Sequence, residues 1–195
     1  EFGSGGRFIG EEVAKKLGIA YYDKNIIGQI AEKSGLSPEY IQENAELSPK
    51  KGLFAYAFSG RDITGKSVED MVYEAQRNII LGLAEKEPCV IIGRNADYIL
   101  KDTEGIQLVR AFIYAPNDVR VHNIMESHNL SEKDAKLLLD EKDKRYHKRH
   151  LALTGSNRGD RHNRDILINS DFLGIQGTAE YLEDLIAKKY GKKEA

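Results

Sequence analysis

A chain of 195 residues has the length of one domain, with room for a small insert or lid, and its 41% hydrophobic content is enough to bury a core. The formal net charge of -2 argues against a dedicated nucleic-acid binder, which carries a clear basic excess. Cys89 is the one cysteine, so no internal disulfide can form. No apolar run approaches the length of a membrane span, and a protein of the reducing cytoplasm is expected.

The chain opens on Gly3-Ser4-Gly5-Gly6-Arg7, which runs directly into an amphipathic segment. A glycine-rich turn feeding a helix N-terminus offers unpaired N–H groups and the positive end of the helix dipole to an anion. Two readings stand at this point: a phosphate cradle to which Arg7 adds a planar fork of donors, or a flexible linker-like tail. A phosphate turn ordinarily follows a buried strand, and a short strand preceding Glu1 is therefore expected in the intact protein.

The first helix is predicted from Arg7 to Leu17, with Ile9, Val13 and Leu17 at helical spacing and Gly18 ending it. Ile19–Tyr22 reads as a short strand that stops at Asp23, and 25–33 as a helix. Ser37-Pro38-Glu39 opens another helix. Ser67–Glu87 reads as a long amphipathic helix, stopped by Pro88. Cys89–Ile92 is an apolar run without polar alternation, as in a strand buried on both faces. Leu108–Tyr114 gives another strand, and helices follow from Pro116 to Ser127 and from Ser131 to His150. Ile166–Asn169 is the last strand, and Thr178 is the expected cap of a C-terminal helix. Strands alternating with helices predict parallel pairing in a three-layer α/β fold within one domain.

Three stretches bear on chemistry. Gly93-Arg94-Asn95-Ala96-Asp97 follows a buried strand, where open parallel sheets bind ligands. That position suits Arg94 to an anionic substrate and Asp97 to orienting it, against the plainer reading of an arginine paired at the sheet edge. Residues 142–164 concentrate Lys142, Lys144, Arg145, Lys148, Arg149, Arg158, Arg161 and Arg164. This segment reads as a lid closing cations over phosphates, as a patch for RNA or DNA, or as a solvated helix face. His147 and His150 lack the further ligands that a zinc site needs. Gly60–Ser67 matches the formal P-loop pattern, with Lys66 and Ser67 in the expected places. The run before it is rich in alanine and aromatic residues, however, and Ser67 is equally explained as a helix cap.

Together these residues resemble the cytidylate-kinase-like family, relatives of bacterial cytidylate kinase among the P-loop nucleoside monophosphate kinases. The resemblance rests on Gly3–Gly10, Tyr21-Tyr22-Asp23 and above all Pro88–Leu100. It continues through Asp143-Lys144, Thr154-Gly155, Gly159-Asp160 and Ile168-Asn169-Ser170. It implies a P-loop NTPase fold whose first strand is missing from this chain, with an acceptor-binding insert at about 24–66 and a lid at about 145–164. It implies transfer of the ATP γ-phosphoryl group to a nucleoside monophosphate in the presence of Mg2+, with CMP or dCMP the first acceptors to consider. Gly3, Ser4, Gly5, Gly6 and Arg7 would cradle the donor phosphates, with Arg120 and Arg158. Asp23, Arg94 and Asp97 would face the acceptor. Arg7, Arg94, Arg145 and Arg149 would neutralise the transferring group.

The chain departs from true cytidylate kinases, or from the pattern of the cytidylate-kinase-like branch, at five places. Gly6 stands where true cytidylate kinases have the P-loop lysine, though Gly6-Arg7 is the arrangement usual for the cytidylate-kinase-like branch, and Phe8 replaces the hydroxyl residue that helps hold magnesium. Asn123 and Tyr146 stand where arginines are expected, and Arg158 where a lid tryptophan is. These departures leave open a catalytically impaired nucleotide-binding or regulatory protein, or a kinase of another small phosphate acceptor.

Overall fold

The computed structural model describes residues 1–23, 25–35, 37–39, 41 and 68–191. The motif at Gly60–Ser67 lies outside the described residues. The elements, in chain order, are α1 (Gly6–Leu17), β1 (Ala20–Tyr22), α2 (Asn25–Ser34), α3 (Val68–Lys86), β2 (Cys89–Ile91) and α4 (Ala96–Leu100). There follow β3 (Ala111–Tyr114), α5 (Asn117–His128), α6 (Glu132–Thr154), β4 (Ile166–Asn169) and α7 (Ser170–Tyr190), with a single 3-10 turn at Arg161–Asn163 before β4.

All recorded strand pairing is parallel, as the alternation of helix and strand demands. β1 pairs β2 with Tyr21 opposite Val90, and β3 pairs β4 with Ile113 opposite Ile168. Among the described residues the pairing forms two two-stranded sheets. Helix α1 spans the two pairs. Its Ile9 and Val13 pack with Ala179 and Leu182 of α7, against Val90 of β2, Ile113 of β3 and Ile166 of β4. The approach to β2 and the residue after it is close: a Cβ on Gly10 would lie 3.4 Å from Val90 Cγ1 and 2.5 Å from Ile92 Cδ1. A second cluster holds α2 and α3 on the other flank of β1 and β2, through Ile26, Ile30, Val72 and Ile79. A third joins α5 to α6 through Val121, Ile124, Ala135 and Leu139, with Phe2 packed against it. The mixed helix and strand composition with parallel pairs is that of an α/β protein.

Sequence periodicity found each strand among the described residues, but three boundaries differ. The C-terminal helix starts at Ser170, eight residues before the expected cap. Asn169 caps it by accepting from the Asp171 N–H at 3.0 Å. Gly174, at φ 67° and ψ 177°, kinks it and hides the first turns from a search for periodicity. Thr178 is fully buried within the helix instead of capping it. Helix α6 runs on to Thr154, where Gly155 in a left-handed conformation ends it, so 151–154 are helical. Residues 108–110 lie outside β3.

Gly28 in α2 and Gly82 in α3 sit in helix interiors with open space where a Cβ would stand. Glycine in a helix costs roughly 0.5–1 kcal/mol relative to alanine. Gly28→Ala and Gly82→Ala are each expected to stabilise by about that amount, read as a rise in the midpoint of urea unfolding.

Candidate functional site

The glycine turn is built by backbone conformations that favour glycine. Gly3 and Gly5 have φ of 79° and 77°, in the left-handed region that costs an L side chain energy. Space closes the same positions. A Cβ at Gly3 would lie 2.8 Å from the Arg120 carbonyl oxygen, and one at Gly5 3.3 Å from Ile175. The turn's carbonyls are held from outside. Arg120 Nε donates to the Phe2 carbonyl at 2.8 Å, Asn123 Nδ2 to the Gly3 carbonyl at 2.8 Å, and Ser170 Oγ to the Ser4 carbonyl at 2.7 Å. The Ser4 hydroxyl, buried, donates to the Glu1 carbonyl at 2.8 Å. Helix α1 begins at Gly6, directly after this turn, with its first N–H groups at the end of the helix.

Arg7 and Asp23, assigned by sequence to opposite substrates, meet: Arg7 Nε lies 2.6 Å from Asp23 Oδ2. Arg7 is half exposed and Asp23 is buried, so the pair stands at the mouth of the turn. The Tyr21 hydroxyl donates to the Arg7 carbonyl at 3.3 Å, and burial together with the Asp23 charge pushes the phenol up to about 12.

Arg94 and Asn95 follow β2 with φ of 59° and 51°. Two successive non-glycine residues in the left-handed region store strain, a feature that concentrates at binding and catalytic sites. Gln76 of α3, fully buried, donates from Nε2 to the Arg94 carbonyl at 2.8 Å and holds this turn in place. Arg94 is 5% exposed, and Arg145 and Arg149 of α6 are also buried. Fully charged guanidinium groups withdrawn from water are costly unless anions or dipoles compensate them. Helix α6 reaches the Arg94 turn through His150, whose Nδ1 lies 3.0 Å from Asn95 Oδ1. The spacing lets the imidazole N–H donate.

Asp97 is ion-paired with Arg164, whose guanidinium also lies 5.6 Å from the Phe112 ring centre. Asp97, His150, Thr154, Ser156, Asn163 and Arg164 line a polar cavity of about 200 Å3. Arg120 lies deeper than its sequence assignment suggested. At 3% exposure it spans α5, α6 and the turn, donating to both Asp143 oxygens at 2.8 and 2.7 Å besides the Phe2 carbonyl. Arg158 stacks its guanidinium 4.5 Å from the centre of the Tyr146 ring, so two departures from the family pattern contact each other.

Burial holds the His150 imidazole below the ordinary histidine pKa. Asp97 opposes that shift, while Arg164, Arg158 and His147 add to it. A depressed folded pKa means that the neutral ring's contribution is complete above the unfolded value of 6.5 and is lost as pH falls through the folded pKa. Acidification below about pH 6.5 is therefore expected to destabilise the protein more steeply than it does His150→Gln. Urea unfolding of both proteins at several pH values checks the difference.

The family model described as "Cytidylate kinase-like family" matches residues 1–172. The chain belongs to the cytidylate kinase-like family. Its relatives include a cytidylate kinase of Pyrococcus horikoshii, 26% identical over 177 residues that cover 90% of this chain and 79% of that one. A cytidylate kinase of Thermoplasma volcanium is 27% identical over 174 residues, covering 89% and 80%. Among solved structures, an uncharacterised protein of Eubacterium ventriosum superposes with a TM-score of 0.63 at 28% identity, covering all of this chain and 95% of that one. These relationships support a nucleoside monophosphate kinase-like function, a phosphotransferase acting on nucleotides. No described helix is long and apolar enough to cross a membrane.

Fit to phosphate and fit to magnesium differ. The turn at Gly3–Gly6 leads into the first N–H groups of α1, a backbone arrangement of the kind that receives phosphate oxygens. For a metal ion, the described residues hold no group of three or more His, Cys, Asp or Glu side chains. Phe8, 55% exposed, supplies no hydroxyl at the start of α1. Magnesium at a nucleotide site is carried largely by the phosphates and water.

Sequence reasoning gave Gln76 no role, marked Asn123 only as a missing arginine, and quoted Ser170 only as part of the family resemblance, so none of the three was assigned its backbone contact. Each acts on a backbone carbonyl distant in sequence, and such a contact leaves no local pattern.

Proposed function

We propose that this protein transfers the γ-phosphoryl group of ATP to a nucleoside monophosphate, with CMP or dCMP the first candidate acceptor. The observation that carries the reading is the glycine turn at the N-terminus of α1, with its left-handed Gly3 and Gly5 and its externally held carbonyls. Membership of the cytidylate kinase-like family supports the same chemistry.

In-line phosphoryl transfer needs little covalent help from a protein. Rate comes from positioning the two phosphates and neutralising the charge that spreads over the transferring group. In this reading the turn from Gly3 to Arg7 receives the donor phosphates, with the Ser4 N–H taken up inside the turn by the Glu1 carbonyl at 3.3 Å. Arg94 holds the acceptor phosphate, on a turn whose strain and Gln76 anchor fix its direction. Arg145 and Arg149 add positive charge from α6, and Arg158 adds it from the segment after α6. Asp23 keeps Arg7 oriented at the mouth of the turn and faces the acceptor. Asp97 acts through Arg164, as one side of the acceptor pocket. Arg120 ties the turn to α6 through Asp143 and keeps the donor site and the cationic helix in register.

Release of ADP from ATP across a panel of nucleoside monophosphates tests the proposal. ADP release that depends on one acceptor, highest with CMP or dCMP, is the expected result. ATP binding without acceptor-dependent release would replace it with a nucleotide-binding protein that has lost or redirected its transfer activity.

A further inference from the structure

Helix α6 is seated on the protein in two different ways. Its first half packs by apolar contact, with Ala135 and Leu139 against Val121 and Ile124 of α5. Beyond Leu139 the buried side chains of the helix are Arg145, Arg149 and His150, so the second half buries no apolar residue. Polar contacts hold it at two points. Arg120 Nη2 donates to both Asp143 oxygens at 2.8 and 2.7 Å, while Arg120 Nε holds the Phe2 carbonyl of the glycine turn. Seven residues further along the helix, His150 Nδ1 lies 3.0 Å from Asn95 Oδ1, in the turn that carries Arg94.

Arg145 and Arg149 lie between these two anchors, four residues apart and on one face of the helix. From Asp143 to His150 the unbroken helix covers about 10 Å of its axis. Tied at both ends, this stretch sets where the two guanidinium groups stand between the glycine turn and Arg94. The Arg94 turn is firm in itself. The Ala96 N–H closes it by donating to the Gly93 carbonyl at 3.1 Å, and Gln76 holds the Arg94 carbonyl. The His150 contact therefore acts on the helix: it locates the cationic end of α6 on a turn that is already fixed.

We propose that His150 is a positioning residue, which docks the C-terminal half of α6 on Asn95 and so holds Arg145 and Arg149 in register with the acceptor phosphate on Arg94. This rests on the reading of Arg94 as the group that holds the acceptor phosphate. His150 touches no phosphate in this assignment and acts only through the helix that carries it.

The test compares the intact protein with His150→Ala, His150→Gln, Asn95→Gly and the double variant of His150→Ala with Asn95→Gly. Glycine is chosen at position 95 because it accepts the φ of 51° found there. Calorimetric affinities for ATP and for the favoured acceptor of the panel, CMP first, are the readouts, with kcat and the KM of each substrate. Loss of one anchoring hydrogen bond in His150→Ala is expected to weaken acceptor binding roughly three- to tenfold, with a fall in kcat and ATP affinity within about twofold of wild type. His150→Gln keeps a donor and recovers part of the loss. Because the contact runs through Asn95, the double variant should bind acceptor no more weakly than His150→Ala. Losses that add in the double variant would overturn the proposal. So would wild-type acceptor affinity and kcat in His150→Ala alongside a lowered melting temperature, which would make the contact merely structural. Wild-type protein that binds no nucleoside monophosphate would remove the acceptor reading and this proposal with it. Acceptor binding without turnover would sink the kinase reading alone, since the affinity comparison stands without catalysis.

Discussion

Arg94→Ala is expected to lower acceptor-dependent turnover by about a thousandfold or more, while ATP affinity stays within about threefold of wild type. An arginine that neutralises a transferring phosphoryl group acts mainly in the transition state, so its loss falls on kcat as well as on kcat/KM. Two features of Arg94 support a directed role over a structural one. Its turn holds left-handed conformations at both Arg94 and Asn95, and Gln76 is spent on fixing the Arg94 carbonyl. Arg94→Lys keeps charge but loses the planar fork, and should recover only a small part of the rate. A fold defect is separated from a chemical one by the ATP affinity and melting temperature of both variants. If Arg94→Ala retains wild-type turnover with the favoured acceptor, the assignment of this residue to the acceptor phosphate fails.

Gly3→Ala is expected to give the largest effect on the fold of the turn. A side chain in the left-handed region costs about 1–2 kcal/mol. The Cβ would also stand 2.8 Å from the Arg120 backbone oxygen, and overpacking of this kind costs about 1–3 kcal/mol. Because the obstructing atom is backbone, relief requires α5 to shift, and Asn123 and Arg120 would then lose their hold on the Phe2 and Gly3 carbonyls. A loss of about 2–5 kcal/mol in unfolding free energy is the expected sum, with ATP affinity lost together with it. Gly10→Ala is the contrasting case. Its nearest obstruction is the tip of the flexible Ile92 side chain, which can turn aside, so its cost should be smaller. Urea unfolding of the two variants checks the order. Equal stability of Gly3→Ala and wild type would contradict the close seating of the turn on α5.

The elements that sequence revealed are those with strong local signals. Helix α1 carries Ile9 and Val13 on one face and ends at Gly18, and β2 is an unbroken apolar run. The parallel pairing of β1 with β2 and of β3 with β4 follows from the order of elements. The start of α7 was obscured because the Gly174 kink breaks helical periodicity just after the cap. The length of α6 was underestimated because Leu151 to Thr154 carry no marker that separates a last helical turn from a loop. Within the site, composition and motif picked out the glycine turn, Arg7 and Arg94. They could not show that Arg7 pairs with Asp23, that Asp97 is held by Arg164, or that Arg120 is committed to Asp143 and the Phe2 carbonyl. Those choices are made between elements far apart in sequence. Packing decides them, and composition does not.

Transfer of labelled γ-phosphate from ATP to CMP or dCMP, with the product identified directly, tests the central claim. Labelled diphosphate formed at a rate that depends on the acceptor, and lost in Arg94→Ala, is the predicted result. Wild-type protein that binds ATP yet labels no nucleoside monphosphate would contradict it.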